Sequence, residues 1–127
     1  LDINSLKDSA LSGNKQKTNR LLNDTVVKND KIIYYINHLY QRLNKLNDII
    51  SVKNLPLEKT IDNIKPTIFW KDKPVVKEQA KRWDRTKINL MLKKIFNIEI
   101  MIKSNSNIQK DILFKKLIID ICEFANS

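Results

Sequence analysis

The chain reads as all-α, a single compact bundle of about seven helices. Three observations predict this. The apolar residues recur at helical spacing throughout. Breakers are scarce: Gly13 is the only glycine, and Pro56, Pro66 and Pro74 are the only prolines. No alternating run of the kind that marks a strand stands out.

The elements follow in chain order. Residues 2–12 carry Ile3, Leu6, Ala10 and Leu11 on one helical face. Gly13 then stops the helix, because glycine enters the left-handed region without penalty. Asn14 caps a second helix running to about Lys28, with Leu21, Leu22, Val26 and Val27 expected inward. Asn29 and Asp30 supply the next expected cap. The third helix, about 31–53, has the clearest pattern. Ile32, Ile36, Leu39, Leu43, Leu46 and Ile50 are spaced 4, 3, 4, 3, 4. That is a bundle seam, and Ile33, Tyr40 and Ile49 widen it.

Pro56 suits the first turn of a short helix over 56–64. The one irregular segment, 65–74, contains two prolines, and Asp72 is placed to cap a helix running to about Trp83. Asp84 caps a long helix over about 85–103. Ile88, Met91, Ile95, Ile98 and Ile102 make one seam of it, and Leu92, Phe96 and Ile100 a second. Two apolar faces predict a central position. Ser104 to Asn107 reads as a polar turn. The last helix, about 108–125, turns Phe114, Leu117, Ile118, Ile121 and Ala125 inward.

A chain of 127 residues is the size of one domain, here 1–127. Leu1 rather than Met opens it, so the reading is of a piece of a longer protein. One Cys and one His exclude an internal disulfide and a structural zinc site. No run approaches the length of a membrane span, and no secretory signal opens the chain. The implied compartment is the reducing cytoplasm, and no membrane partner is expected.

The net charge is +10. A polyanion partner is one reading of it. Codon bias is the other, since 20 Lys, 19 Ile and 15 Asn all have A/T-rich codons. The lysines are scattered, and Arg20, Arg42, Arg82 and Arg85 are the only arginines, although arginine is the better phosphate fork.

A single glycine excludes a Gly-rich phosphate loop, so no nucleotide cofactor is expected. His38 lies beside the third helix's seam and reads as structural or solvated. Cys122 reads as a small buried thiol. The carboxylates Asp8, Asp24, Asp30, Asp48, Asp62, Asp72 and Asp84 are dispersed to caps, turns and solvated faces, with no metal pattern. No catalytic residue, metal ligand or cofactor is assigned.

The 65–74 segment is the candidate site. Phe69 and Trp70 are adjacent aromatics flanked by Lys65, Lys71 and Lys73. Aromatic platforms beside cations hold unpaired bases. Loop aromatics also plug cores, and adjacent extended residues point opposite ways, so Phe69 can be buried while Trp70 faces out. Trp83 reads as core.

Two stretches carry a resemblance. DSALSGNKQKTNRLLN resembles the helix turn opening the last domain of the delta subunits of the bacterial DNA polymerase III clamp loader. IKPTIFWKDKPVVKEQAKRWDRTKINLMLKKIFNIEIMIKS resembles the same domain further on. There the family shows an aromatic pair, a basic turn, a helix ending in Arg-Trp, a cap, and a long helix closing with Glu-x-x-x-Lys. Here those are Phe69-Trp70, Lys71 to Lys73, Arg82-Trp83, Asp84, and Glu99 with Lys103. Asn105 stands where many members have Gly.

The resemblance implies a helical collar domain without the AAA+-type domains that precede it in the family. Such collars pack into a ring with those of the gamma or tau type and delta-prime subunits, holding the loader together while it places the sliding clamp on primer–template DNA. The clamp itself meets delta through its first domain. The implied role is non-catalytic assembly within a DNA-directed DNA polymerase (nucleotidyltransferase) holoenzyme. Helices 85–103 and 108–125 are then the interface candidates. Trp70 becomes a candidate stack for a template base, with Lys71, Lys73 and Lys65 near phosphate. The alternative is an autonomous basic helical domain that binds nucleic acid by itself.

Overall fold

A computed structural model describes residues 2–104 and 107–127. Among them run seven α-helices and no strand. The helices are α1 (Ile3–Leu11), α2 (Lys15–Asn23), α3 (Ile32–Ile50), α4 (Leu57–Asn63), α5 (Lys73–Arg82), α6 (Arg85–Ser104) and α7 (Lys110–Ala125). Single 3-10 turns at Asn29–Lys31 and Trp70–Asp72 lead into α3 and α5. No helix is long and apolar enough to cross a membrane. The polar turn expected at 104–107 falls partly outside the described residues; Ser104 itself closes α6.

Local signals explain most of the boundaries. The Asp2 carboxylate accepts from the backbone N–H groups of Asn4 and Ser5 and opens α1. Asn14 accepts from the Lys17 N–H and opens α2. Asp84 does the same for Lys87 at the start of α6. Gly13 has φ +73°, and a Cβ there would sit 2.7 Å from Asn126 Oδ1. Asn126 Nδ2 donates to the Gly13 carbonyl, which ties the chain's end to the α1–α2 turn.

Three local expectations need correction. Asp72 stands at the N-cap of α5, but its side chain makes no capping hydrogen bond. The second helix ends at Asn23, five residues early, and Val26 is exposed while Val27 is buried. Thr25, Val26 and Val27 are three consecutive β-branched residues, which crowd a helical turn and favour extended backbone. Asn29 and Asp30 cap nothing through their side chains; they form the 3-10 turn instead.

The buried residues form one core. Its axis is α3, which packs against α1, α4, α5, α6 and α7. Ile32, Ile36, Leu39, Leu43 and Leu46 are all buried, with Ile49 rather than Ile50 closing the seam. Phe114 of α7 is the largest fully buried side chain and meets Tyr35 of α3 at 5.5 Å between ring centres. Trp83 is core as expected, and its indole N–H donates to the Leu11 carbonyl at 2.9 Å.

Helix α6 is not central. It lies against α3 and α7 through Ile88, Met91, Ile95 and Ile102. Its second stripe is only partly covered, with Leu92 packed against the core but Phe96 54% and Ile100 47% exposed. The pattern called for cover on two sides, and the described residues bury one.

A buried polar joint links α1, α3 and α5. Arg42 Nη1 donates to Asp8 Oδ1 at 2.8 Å and to Gln79 Oε1 at 2.9 Å. Gln79 is fully buried, and its Nε2 donates to the Asp8 carbonyl and Ser12 Oγ. Every hydrogen-bonding atom of that amide group is thus engaged, which is what makes its burial tolerable.

Candidate functional site

The segment between α4 and α5 forms an aromatic ridge with a cleft on either side. Ile68 is its buried anchor, while Phe69 and Trp70 are 56% and 68% exposed. The expected alternation, with Phe69 inside and Trp70 outside, does not hold at this pair. The chain turns into the 3-10 helix at Trp70, so the strict two-sided alternation of extended backbone ends at Phe69. The two rings meet edge-on at 5.9 Å between centres. Both are free of any plugging role.

The lysines around them are not equivalent. Lys71 Nζ stands 5.4 Å from the centre of the Trp70 ring, a cation–π contact. Lys73 is paired with Asp62 at 3.0 Å. Lys65 lies within 3.4 Å of the Thr67 hydroxyl. The structure therefore places Lys71 against the Trp70 ring and holds Lys73 to α4.

A cleft of about 380 Å³ opens on the Trp70 side, between α4 and α5. Ile61, Pro74 and Trp70 give it apolar walls. Its charged lining is balanced: Lys73 pairs with Asp62 and Lys77 with Glu58. The Lys77 ammonium holds the Glu58 carboxyl below the usual carboxylate range.

A second cleft, of about 220 Å³, opens on the Phe69 side. Lys7, Arg42, Lys45, Thr67, Phe69 and Asp72 are among its walls. Lys7 is buried, with its ammonium 3.2 Å from Asn4 Oδ1. Burial, and after it the Arg42 charge, pushes Lys7 below the ordinary lysine value. Lys45 Nζ donates to the Pro66 carbonyl at 3.0 Å, which holds its head at the rim. Sequence reasoning missed this constellation, because its three cations are separated by up to 38 positions. One signal was available: Arg42 is an arginine beside the seam of α3 in a chain that otherwise favours lysine.

The remaining chemistry-bearing residues stand apart. His38 packs edge-on to Tyr34 at 4.6 Å, and burial with the Lys7 charge lowers its basicity. Cys122 is buried, and burial pushes its thiol up, away from the reactive thiolate. Tyr40 donates to Glu99 Oε1 at 3.3 Å; burial first, then that carboxylate, pushes its phenol up to about 12. Glu99 also holds Lys103 at 3.1 Å, one turn on. Among the described residues, no group of three or more His, Cys, Asp or Glu is placed to hold a metal ion.

On the two candidate interface helices, the uncovered large apolar side chains are Leu90, Phe96, Ile100 and Met101 of α6 and Ile112 and Ile119 of α7. Phe96 and Ile100 are four residues apart and share one stripe with half-buried Leu92. Ile112 and Ile119, seven apart, share a face of α7. Comparison with protein-family models, with curated proteins and with solved structures finds no match for this chain.

Proposed function

We propose that this chain is a non-catalytic assembly domain of the collar type, resembling that of the DNA polymerase III delta subunit. In this reading it holds neighbouring helical domains in a ring during sliding-clamp loading. The observation that carries it is the second stripe of α6. Leu92, Phe96 and Ile100 repeat at helical spacing as a core seam does, yet among the described residues Phe96 and Ile100 stay about half exposed. A helix patterned on two faces and packed on one has a surface suited to a partner. The partners are the collars of the ATP-binding gamma or tau type and delta-prime subunits. The lone buried Cys122 agrees with a cytoplasmic location.

Light scattering on the chain mixed with those collars, taken from the same genome, tests the reading. A mixed complex is expected, and Phe96→Asp should weaken it by tenfold or more, because a charge would enter a desolvated contact. A chain that stays alone overturns the assembly reading.

A second reading adds a primer–template contact at Trp70. Its exposed ring beside Lys71 favours this. Loss of the stack in Trp70→Ala should cost the assembled loader about 1–3 kcal/mol of primer–template affinity. Unchanged affinity rejects the contact. Tight, steeply salt-dependent binding by the chain alone would favour the autonomous nucleic-acid-binding domain instead.

A further inference from the structure

We propose that the cleft on the Phe69 side is a phosphate-binding site, in which Lys7, Arg42 and Lys45 supply the charge. This goes beyond the assembly reading and does not rest on it. Three cations from α1 and α3 line one cleft, and Asp72 is the only carboxylate among its lining residues. Asp8 holds one nitrogen of Arg42, so with that pair and Asp72 counted the cleft keeps a surplus of one positive charge.

Such a cluster opposes folding unless something offsets it. Lys7 is buried, and taking an ammonium out of water costs free energy. The nearby guanidinium adds like-charge repulsion, and Asp8, Asp72 and Asp2 offset only part of the two, since Lys7 stays below the ordinary lysine value. In the other cleft beside the ridge both lysines are paired with carboxylates. Here only Arg42 is so paired, with Asp8, while Lys7 and Lys45 are held by uncharged oxygens, of Asn4 and Pro66. Arg42 is fixed by Asp8 and Gln79, and Lys45 by the Pro66 carbonyl. Fixed donors lose little freedom on binding, so they bind an oxyanion more tightly than mobile surface lysines do.

Size and lining agree. A volume of about 220 Å³ is several times the ~30 Å³ share of one liquid water, enough for a tetrahedral oxyanion and part of its shell. Thr67 adds a hydroxyl and Gln41 an amide at the wall. Phe69 adds an apolar edge for whatever the phosphate carries.

The phosphate can belong to a nucleic-acid strand or to a small free molecule, and the test separates these. Backbone and side-chain NMR shifts of the chain are followed in chloride buffer with inorganic phosphate as the probe. Saturable shifts are expected at Lys7, Gln41, Arg42, Lys45 and Thr67. Lys45→Gln should weaken binding by about tenfold, as for one lost charge-assisted hydrogen bond. Lys116→Gln, on the outer face of α7, should leave it unchanged. An oligothymidylate without terminal phosphates is then added. Displacement of phosphate from the cleft assigns the site to a strand's backbone, and retention assigns it to a free phosphate. Shifts that fail to saturate with both probes overturn the proposal. So do shifts as large at exposed Lys93 and Lys116, or a Lys45→Gln variant that is folded and binds as before. Failure of the collar mixture in light scattering would leave this result untouched, so the two ideas can fail separately.

Discussion

The two clefts beside the aromatic ridge share a wall and differ in how their charges are settled. On the Trp70 side, each lysine has a carboxylate across the α4–α5 groove. These pairs sit at the surface, where water and salt screen them. On the Phe69 side, the cations are partly buried, and the one strong pair, Arg42 with Asp8, is built into the joint that holds α1, α3 and α5 together. The same residue types therefore do different work. At one wall they are interchangeable decoration on two helices. At the other they are structure, and they leave charge over. The lesson is that net charge is a poor guide to where a basic chain meets an anion. What distinguishes a site is charge that is fixed in place and not cancelled.

The largest break in this contrast should come from Arg42→Ala. It strands the Asp8 carboxylate and the buried Gln79 oxygen together, and should lower unfolding free energy by about 2–3 kcal/mol in urea titrations. A loss under 0.5 kcal/mol would mean that water replaces the guanidinium at no cost and that the joint is not structural.

Lys7→Met should act in the opposite direction. Removing a buried charge while keeping the apolar stem should raise stability by about 1 kcal/mol and weaken phosphate binding. The pH dependence has a definite sign. Lys7 releases its proton more readily in the folded chain than in the unfolded one. The unfolded state then binds more protons over the interval below 10.5, so this group makes stability rise with pH there. Arg42 and His38 of α3, Asp2 and Asp8 of its own end of the chain, and Asp72 of the ridge are the charged and titratable groups around it. Phosphate affinity should fall over that same interval, above pH 8, where the phosphate's own charge is constant. A pH-independent affinity would remove Lys7 from the site.

The smallest effect belongs to the Trp70 side. Lys73→Ala breaks an exposed pair and should change stability by no more than ~0.5 kcal/mol. A larger loss would show that this cleft, too, is held by its charges, and the contrast would dissolve.

Much of the fold was legible because its signals are local. Gly13, the Asn14 and Asp84 caps and the seam of α3 each act over a few residues, and each falls where its chemistry predicts. The end of the second helix is not legible in apolar spacing, which continues past three β-branched residues whose preference for extended backbone prevails. The site was half legible. Phe69 and Trp70 announced themselves, but their joint exposure depended on a 3-10 turn that the pattern did not show. Lys73 looked like a free cation until the fold set it against Asp62, eleven residues back on another helix.

By itself, the sequence determined the helical class, the order of the seven helices, the near-boundaries of most of them, and which face of most of them is apolar. Those are properties of spacing, capping and backbone preference, which act within a turn or two of chain. Only the tertiary structure decided that α3 rather than α6 is the axis, that Phe96 and Ile100 of α6 stay about half exposed, and that Lys7, Arg42 and Lys45 share one cleft. These depend on which elements meet. Burial and electrostatics are sums over neighbours in space, and the groups around Lys7 come from α1, α3 and the segment leading into α5.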